Sequence, residues 1–312
     1  MARHAQDLSR LVDAYLALHR TAGFTLETVA YRLRSFARFA GDRGEATVRA
    51  DTAIEWAKGA PSLLARHNRL GTVTRFARHA RVEEPAHEIP PADYFGARYS
   101  RRPPYIFSEP EIVLLLRAAD DLKPRGSLRP ATFRTLLGLL AATGLRVSEA
   151  RGLLLDDVRH DEKVLFVRRG KGGKSRAIPV HSSTWWALDA YIETRCRAVP
   201  GGSHVFVTAS GAPLSKQIVT WTFAQLRRRL HVSPSSRRSP PRLHDLRHTF
   251  AVRALEACPL EGRDRIGRHM QAIGQYLGHS HLTFTYWYFE STPKLMRDMA
   301  DAARRVVEGG SR

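Results

Sequence analysis

The stretch EIPPADYFGARYSRRPP, residues 88–104, carries four prolines and no helical period. Proline removes a backbone donor and steers its preceding residue out of the helical region, so no continuous helix and no central strand runs through this stretch. The chain of 312 residues is therefore expected to fold as two parts. A front domain over 1–95, a linker over 96–106 and a back domain over 107–312 fit that break. Each part is long enough to bury a core of its own.

Apolar spacing makes the front part helical. Helices are expected over 5–22, 25–42 and 51–58, with a fourth after Pro61. In the second, Val29, Leu33, Phe36 and Ala40 fall on one face, with Thr25 as a candidate N-cap and Gly41 as a stop. Arg32, Arg34, Arg66, Arg69, Arg75 and Arg78 dot the other faces. In the back part, Ser108 followed three residues later by Glu111 reads as a capping box opening a helix. Further helices are expected over 130–142 and 146–155, broken at Thr143-Gly144, and near 183–198, 215–230, 242–257, 264–277 and 293–308. KVLFVRRGKGGKSRAIPV reads as two short strands around a Gly-rich turn. The fold class that follows is mainly α with a small β-sheet (α+β).

No apolar run is long enough to span a bilayer, and the start MARHAQDLSR lacks the apolar stretch of a signal peptide. Only Cys196 and Cys258 occur, so a reducing compartment is expected. Charge narrows the partner. Fifty Lys and Arg stand against thirty Asp and Glu. Residues 1–100 hold 15 basic and 11 acidic groups, and the remaining 212 hold 35 and 19, so the excess lies in the back part. A field of that sign attracts a polyanion, of which a phosphate backbone is the commonest large example. The basic residues are 43 Arg and 7 Lys, and arginine is the planar, bidentate partner for phosphate.

Four separated stretches hold reactive side chains. In TGLRVSEARGL, Arg146 lies in the first turn of a helix with Glu149 three residues on, on the same face. Taken alone this is a surface ion pair. In RRGKGGKSRAIP, a turn with three glycines brings Lys171 or Lys174 toward a phosphate or a base edge, unless it is simply a solvated basic tip. In HDLRHTFAVRAL, His244 and Arg247 share a helix face, with His248 one turn from His244. The HExxH pattern and any cysteine cluster are missing there, so no metal is expected and His248 reads as a packing or capping residue. In LGHSHLTFTYWYFE, residues 277–290, His279 follows Gly278, a candidate helix C-cap, and both Tyr286 and Tyr288 are candidate nucleophiles.

No GxxxxGK[ST] loop occurs, so no ATP is spent through that device. Two arginines, two histidines, a lysine and a tyrosine suit attack on a phosphodiester. Arginines clamp the non-bridging oxygens as charge builds on them. A phenol with a pKa of about 10 ionises more readily beside guanidinium and imidazole groups. A lysine protonates the leaving alkoxide. Covalent capture by tyrosine preserves the phosphodiester energy, so rejoining needs neither ATP nor metal.

TGLRVSEA, HDLRH, LGHS and a tyrosine nine residues beyond that last histidine follow in order over about 150 residues. Together they resemble the catalytic domain of the tyrosine recombinases, the phage-integrase and Xer-like family. The resemblance covers roughly 105–308, and the four-helix front is similar to the family's core-binding (SAM-like) domain. It implies that Arg146 and Arg247 are the two catalytic arginines, His244 and His279 the two histidines, and Tyr288 the nucleophile. Glu149 matches the acidic residue that supports the first arginine. Lys171 matches the lysine that protonates the leaving 5′ oxygen, with Lys174 three residues later as the alternative.

YWYFESTPKLM is more similar to recombinases carried by transposons. The implied function is a site-specific recombinase or integrase of a mobile element, working through a 3′-phosphotyrosyl intermediate without a cofactor. A type IB topoisomerase-like nicking-closing enzyme and a non-cleaving DNA-binding member of a recombinase set are the alternatives. The implied partners are double-stranded DNA with specific sites and further protomers, either a homotetramer in the synapse or a hetero-assembly with sister recombinases, docked through the tail helix. No membrane is involved, and the expected location is the bacterial cytoplasm, on the nucleoid. Arg32, Arg66, Arg69, Arg75, Arg168, Arg176 and Arg242 are the candidate DNA contacts.

Overall fold

A computed structural model describes residues 5–24, 26–96, 103–168, 175–230, 240–257 and 263–278, with 5–7 and 263–266 as backbone only. The chain divides into two compact units, Met1–Arg101 and Arg102–Arg312.

Among the described residues the first unit holds four helices: α1 (Ala5–Thr21), α2 (Glu27–Gly41), α3 (Ala50–Lys58) and α4 (Leu63–Glu83). Leu33, Phe36 and Ala40 of α2 are buried, as their spacing requires, against Val12 and Leu16 of α1, Trp56 of α3 and Leu70, Val73 and Phe76 of α4. The Ser62 side chain caps α4 by accepting the Ala65 N–H at 3.2 Å. Thr25, the expected cap of α2, lies outside the described residues.

The start of the proline-rich stretch is anchored to this unit. Buried His87 accepts the Val48 N–H at 2.9 Å, and burial lowers its imidazole pKa while Glu84 raises it. Glu88 N–H donates to the Val48 carbonyl, and the Pro90 carbonyl accepts the Thr74 hydroxyl.

In the second unit, α5 (Glu109–Asp120) opens with the expected box: the Glu111 carboxylate accepts the Ser108 N–H at 2.7 Å, and the Ser108 hydroxyl accepts the Glu111 N–H. α6 (Leu128–Thr143) ends at Gly144, and α7 (Val147–Arg151) follows. That second piece is shorter than the 146–155 expected. Leu153 turns into the core and the chain leaves the helix for a 3-10 turn, Leu155–Asp157.

Three short strands make one antiparallel sheet in the order β1 (Val158–Arg159), β2 (Val164–Val167), β3 (Arg176–Pro179). β1 is an addition to the two strands expected; two residues are too few to show a period. α8 (Ser182–Ala198), α9 (Lys216–Leu226), a 3-10 turn at Arg227–Arg229, α10 (Asp245–Glu256) and α11 (Arg263–Leu277) complete the described elements.

The main core joins Leu136, Leu139 and Leu140 of α6 to Leu165 and Ile178 of the sheet, Leu188 of α8 and Phe206. A second cluster, Val252, Leu255, Met270, Ile273 and Leu277, zips α10 to α11. Those two contact sets bring the carboxyl end of α11 beside the end of α6. Among the described residues no helix is long and apolar enough to cross a membrane.

Candidate active site

The site begins where α6 stops. Gly144 adopts φ 61°, a left-handed cap, and its N–H returns to the Leu140 carbonyl at 3.0 Å. A Cβ there would stand 2.5 Å from the Phe250 ring, so glycine is required by space as well as by backbone. The reversal turns Arg146, extended at φ −68° and ψ 145°, to the head of α7. Glu149 then folds back, accepting the Arg146 N–H at 2.9 Å and its Nη1 at 2.8 Å.

Arg247 enters from the first turn of α10 and is 3% exposed. The start of that helix is held by buried Asp245, whose carboxylate accepts the Arg242 N–H at 2.7 Å and its guanidinium at 3.0 Å. A carboxylate in a first helical turn is favoured by the helix dipole.

The convergence point is the carboxyl end of α11, where three consecutive carbonyls each accept one arginine. Arg176 Nε donates to Tyr276 at 2.8 Å, Arg247 Nη2 to Leu277 at 2.6 Å, and Arg146 Nη2 to Gly278 at 3.0 Å. The last carbonyls of a helix lack partners within it and form its negative pole, so cations bind there. Gly278, left-handed at φ 66°, ends the helix and directly precedes His279. The other arm of Arg247 reaches the Gly144 carbonyl at 2.7 Å, so this one side chain spans the ends of both helices.

Electrostatics follow from this packing. Burial pushes the Glu149 carboxyl up, but bonds from Arg176, the Arg146 N–H and the Arg146 guanidinium overcome it and bring its pKa to about 2. His244 keeps an exposed edge, yet desolvation by its packed inner side lowers its pKa. Arg247, Arg146 and Arg242 push the same way, and Asp245 opposes them. These influences favour the neutral imidazole, which can accept a proton. Its ring stands edge-on to His248 at 4.7 Å. Tyr276, stacked on Phe250, is raised to about 12 by burial.

The structure brings Arg146, Glu149, His244 and Arg247 into one neighbourhood. Lys171, Lys174, His279, Tyr286, Tyr288 and the tail helix of 293–308 lie outside the described residues. Of the arginines expected to face DNA, Arg176 differs most. It is turned inward, with a side chain 13% exposed, and is forked onto Glu149. Its sequence carried the signal: in β3 it shares a face with buried Ile178, two residues on, so it points to the core side.

Arg168 stays exposed but pairs with buried Asp157, and Arg242 is held by Asp245. In the first unit, Arg66 donates to the Ala60 carbonyl and Arg69 lies over the Trp56 ring. Arg32 reaches Asn68 and Thr72, while Arg75 is exposed.

The Phage integrase family model matches residues 106–294. A Sinorhizobium fredii protein named as an integrase/recombinase, y4rB, is 35% identical over 303 residues, 95% of each chain. The tyrosine recombinase XerD of Mycobacterium tuberculosis is 34% identical over 205 residues, 64% of this chain and 61% of its own. Among solved structures, the Tn1549 transposon integrase in complex with a circular intermediate DNA superposes with a TM-score of 0.66 at 19% identity, covering 94% of this chain and 99% of that one. That likeness concerns the fold. With the family matched over more than half its length and a relative matched end to end, the chain belongs to the phage integrase family and is a tyrosine recombinase.

Proposed function

We propose that this recombinase cuts and rejoins double-stranded DNA at specific sites through a 3′-phosphotyrosyl intermediate, with Tyr288 as nucleophile. The observation that supports this most is the meeting of Arg146 and Arg247 at the end of α11, one residue before His279. In the proposed step the Tyr288 oxygen attacks the scissile phosphorus and the bond to the 5′ oxygen breaks. Lys171 or Lys174 supplies the proton that oxygen needs. The two guanidiniums and His279 hold the non-bridging oxygens. Neutral His244 takes the phenolic proton or donates to the phosphate. Rejoining runs in reverse: the 5′ hydroxyl of a partner strand attacks the phosphotyrosine and releases the phenol. No metal ion or ATP takes part.

The four-helix unit serves in this reading as a second DNA-binding domain, and exchange between two duplexes calls for four protomers, of this chain or with sister recombinases. The fold shared with a transposon integrase and the aromatic run YWYF before the proposed tail both favour a mobile element.

The test is a nicked suicide substrate resolved on a denaturing gel. Wild type is expected to leave a covalent adduct that survives EDTA and vanishes in Tyr288→Phe. An adduct that persists in Tyr288→Phe, or is lost only in Tyr286→Phe, assigns the nucleophile elsewhere. Relaxation of supercoiled DNA lacking any second site marks a nicking-closing enzyme instead.

A further inference from the structure

We infer that Arg176 is a positioning residue for strand cleavage: its guanidinium fixes Glu149, and through it Arg146, against the carbonyl end of α11. The inference deepens the proposed reaction and rests on it for its catalytic consequence.

All three nitrogens of this guanidinium are engaged. Nη1 and Nη2 donate to the two Glu149 oxygens at 3.0 and 2.8 Å, and Nε donates to the Tyr276 carbonyl at 2.8 Å. The Glu149 carboxylate is left with four donors: two from Arg176, then the backbone and side chain of Arg146. Arg146 closes the ring through the Gly278 carbonyl. Three segments, β3, α7 with its cap Arg146, and the end of α11, are thereby locked around one planar group.

Charge gives the lock a second role. Glu149, with a side chain 6% exposed, sits between two guanidiniums, so the trio carries one net positive charge toward a bound phosphate. Without Arg176 the Arg146–Glu149 pair is neutral and half of the carboxylate's bonds are gone. A lysine keeps the charge but cannot span both carboxylate oxygens and a carbonyl. Gly278 belongs to the same device, since a Cβ there would stand 3.1 Å from the Arg176 Nη1.

The experiment compares Arg176→Met and Arg176→Lys with wild type. Melting curves check folding, and the lysine variant keeps a charged protein available if the methionine variant melts early. In the DNA-free protein, nitrogen-15 NMR is expected to show Arg146 guanidinium protons exchanging at least about tenfold faster in both variants. On the suicide substrate, cleavage at saturating enzyme should fall roughly 100-fold, the scale of a misplaced catalytic group. The Kd for the uncut site should stay within about threefold. Arg176→Met should add little to the loss already caused by Glu149→Gln.

A Kd that worsens in step with the rate makes Arg176 a phosphate contact and overturns the inference. Unchanged Arg146 exchange, or losses that multiply in the double variant, overturns it too. If Arg146 loosens in the variants while wild type never captures DNA, the positioning role stands and the recombination reading falls.

Discussion

The two helix ends that meet at the site are built alike and walled differently. α6 and α11 both stop at a left-handed glycine, Gly144 at φ 61° and Gly278 at φ 66°. The space beside Gly144 is filled by Phe250 and Leu277, carbon packed on carbon. The space beside Gly278 is filled by the Arg176 guanidinium, a charged group on a flexible stem. Apart from Arg247, which bonds to both, the first end is thus walled by packing and the second by an ion. The fixed end presents Arg146, and the ionic end leads in sequence into His279 and the stretch that holds the proposed nucleophile.

Arg247 tests the comparison most severely, because it joins both ends. Arg247→Ala strands two carbonyls and is expected to cost roughly 3 kcal/mol in urea unfolding. It should also cut strand cleavage by about a thousandfold. A variant that cleaves within tenfold of wild type breaks the picture of a shared pivot.

Acid should separate the ends. The folded Glu149 pKa is about 2, below an unfolded value near 4.5, so its stabilisation is full above pH 4.5 and is lost as pH falls toward 2. The amount is on the order of 3 kcal/mol. Hydrogen exchange followed down this window should rise at 146, whose N–H the carboxylate accepts, and at 276–278 before 144 and 145, and Glu149→Gln should abolish the difference. Equal loosening of both ends counts against an ionic wall.

Alanine at each glycine sharpens the same contrast. Gly144→Ala meets both a left-handed backbone and the Phe250 ring, and is expected to cost about 3 kcal/mol in thermal unfolding. Gly278→Ala meets a side chain that can yield, and should cost about 1 kcal/mol. Its larger effect should fall on cleavage rate, because Arg176 must shift. Smallest of all, exposed Arg75→Ala should change stability by under about 0.5 kcal/mol. If the first unit grips phosphate there, the salt slope of DNA binding should drop by about one.

Much of this was legible in the sequence. Apolar spacing gave three helices of the first unit nearly to the residue, and the stops at Gly41, Gly144 and Gly278 were visible as glycines after periodic runs. The Arg146–Glu149 pair was visible as an i, i+3 spacing. Other features were hidden for physical reasons. α7 ends at Arg151 because Leu153 is claimed by a distant core, which no local pattern states. Arg176 looked like one more basic residue of a charged hairpin, although its register with Ile178 pointed inward. That Tyr276, Leu277 and Gly278 offer their carbonyls to three arginines cannot be read at all, since every residue has a carbonyl and the pairings reach across 30 to 132 positions.

Those acceptors have an evolutionary corollary. A side-chain partner vanishes with a single codon change, whereas an oxygen of the peptide unit is present whatever residue occupies the position. Neighbouring side chains are thereby free to diverge, while the cradle for Arg146 and Arg247 endures so long as the helix keeps its path. Retargeting such an enzyme should accordingly leave the carboxyl end of that helix untouched.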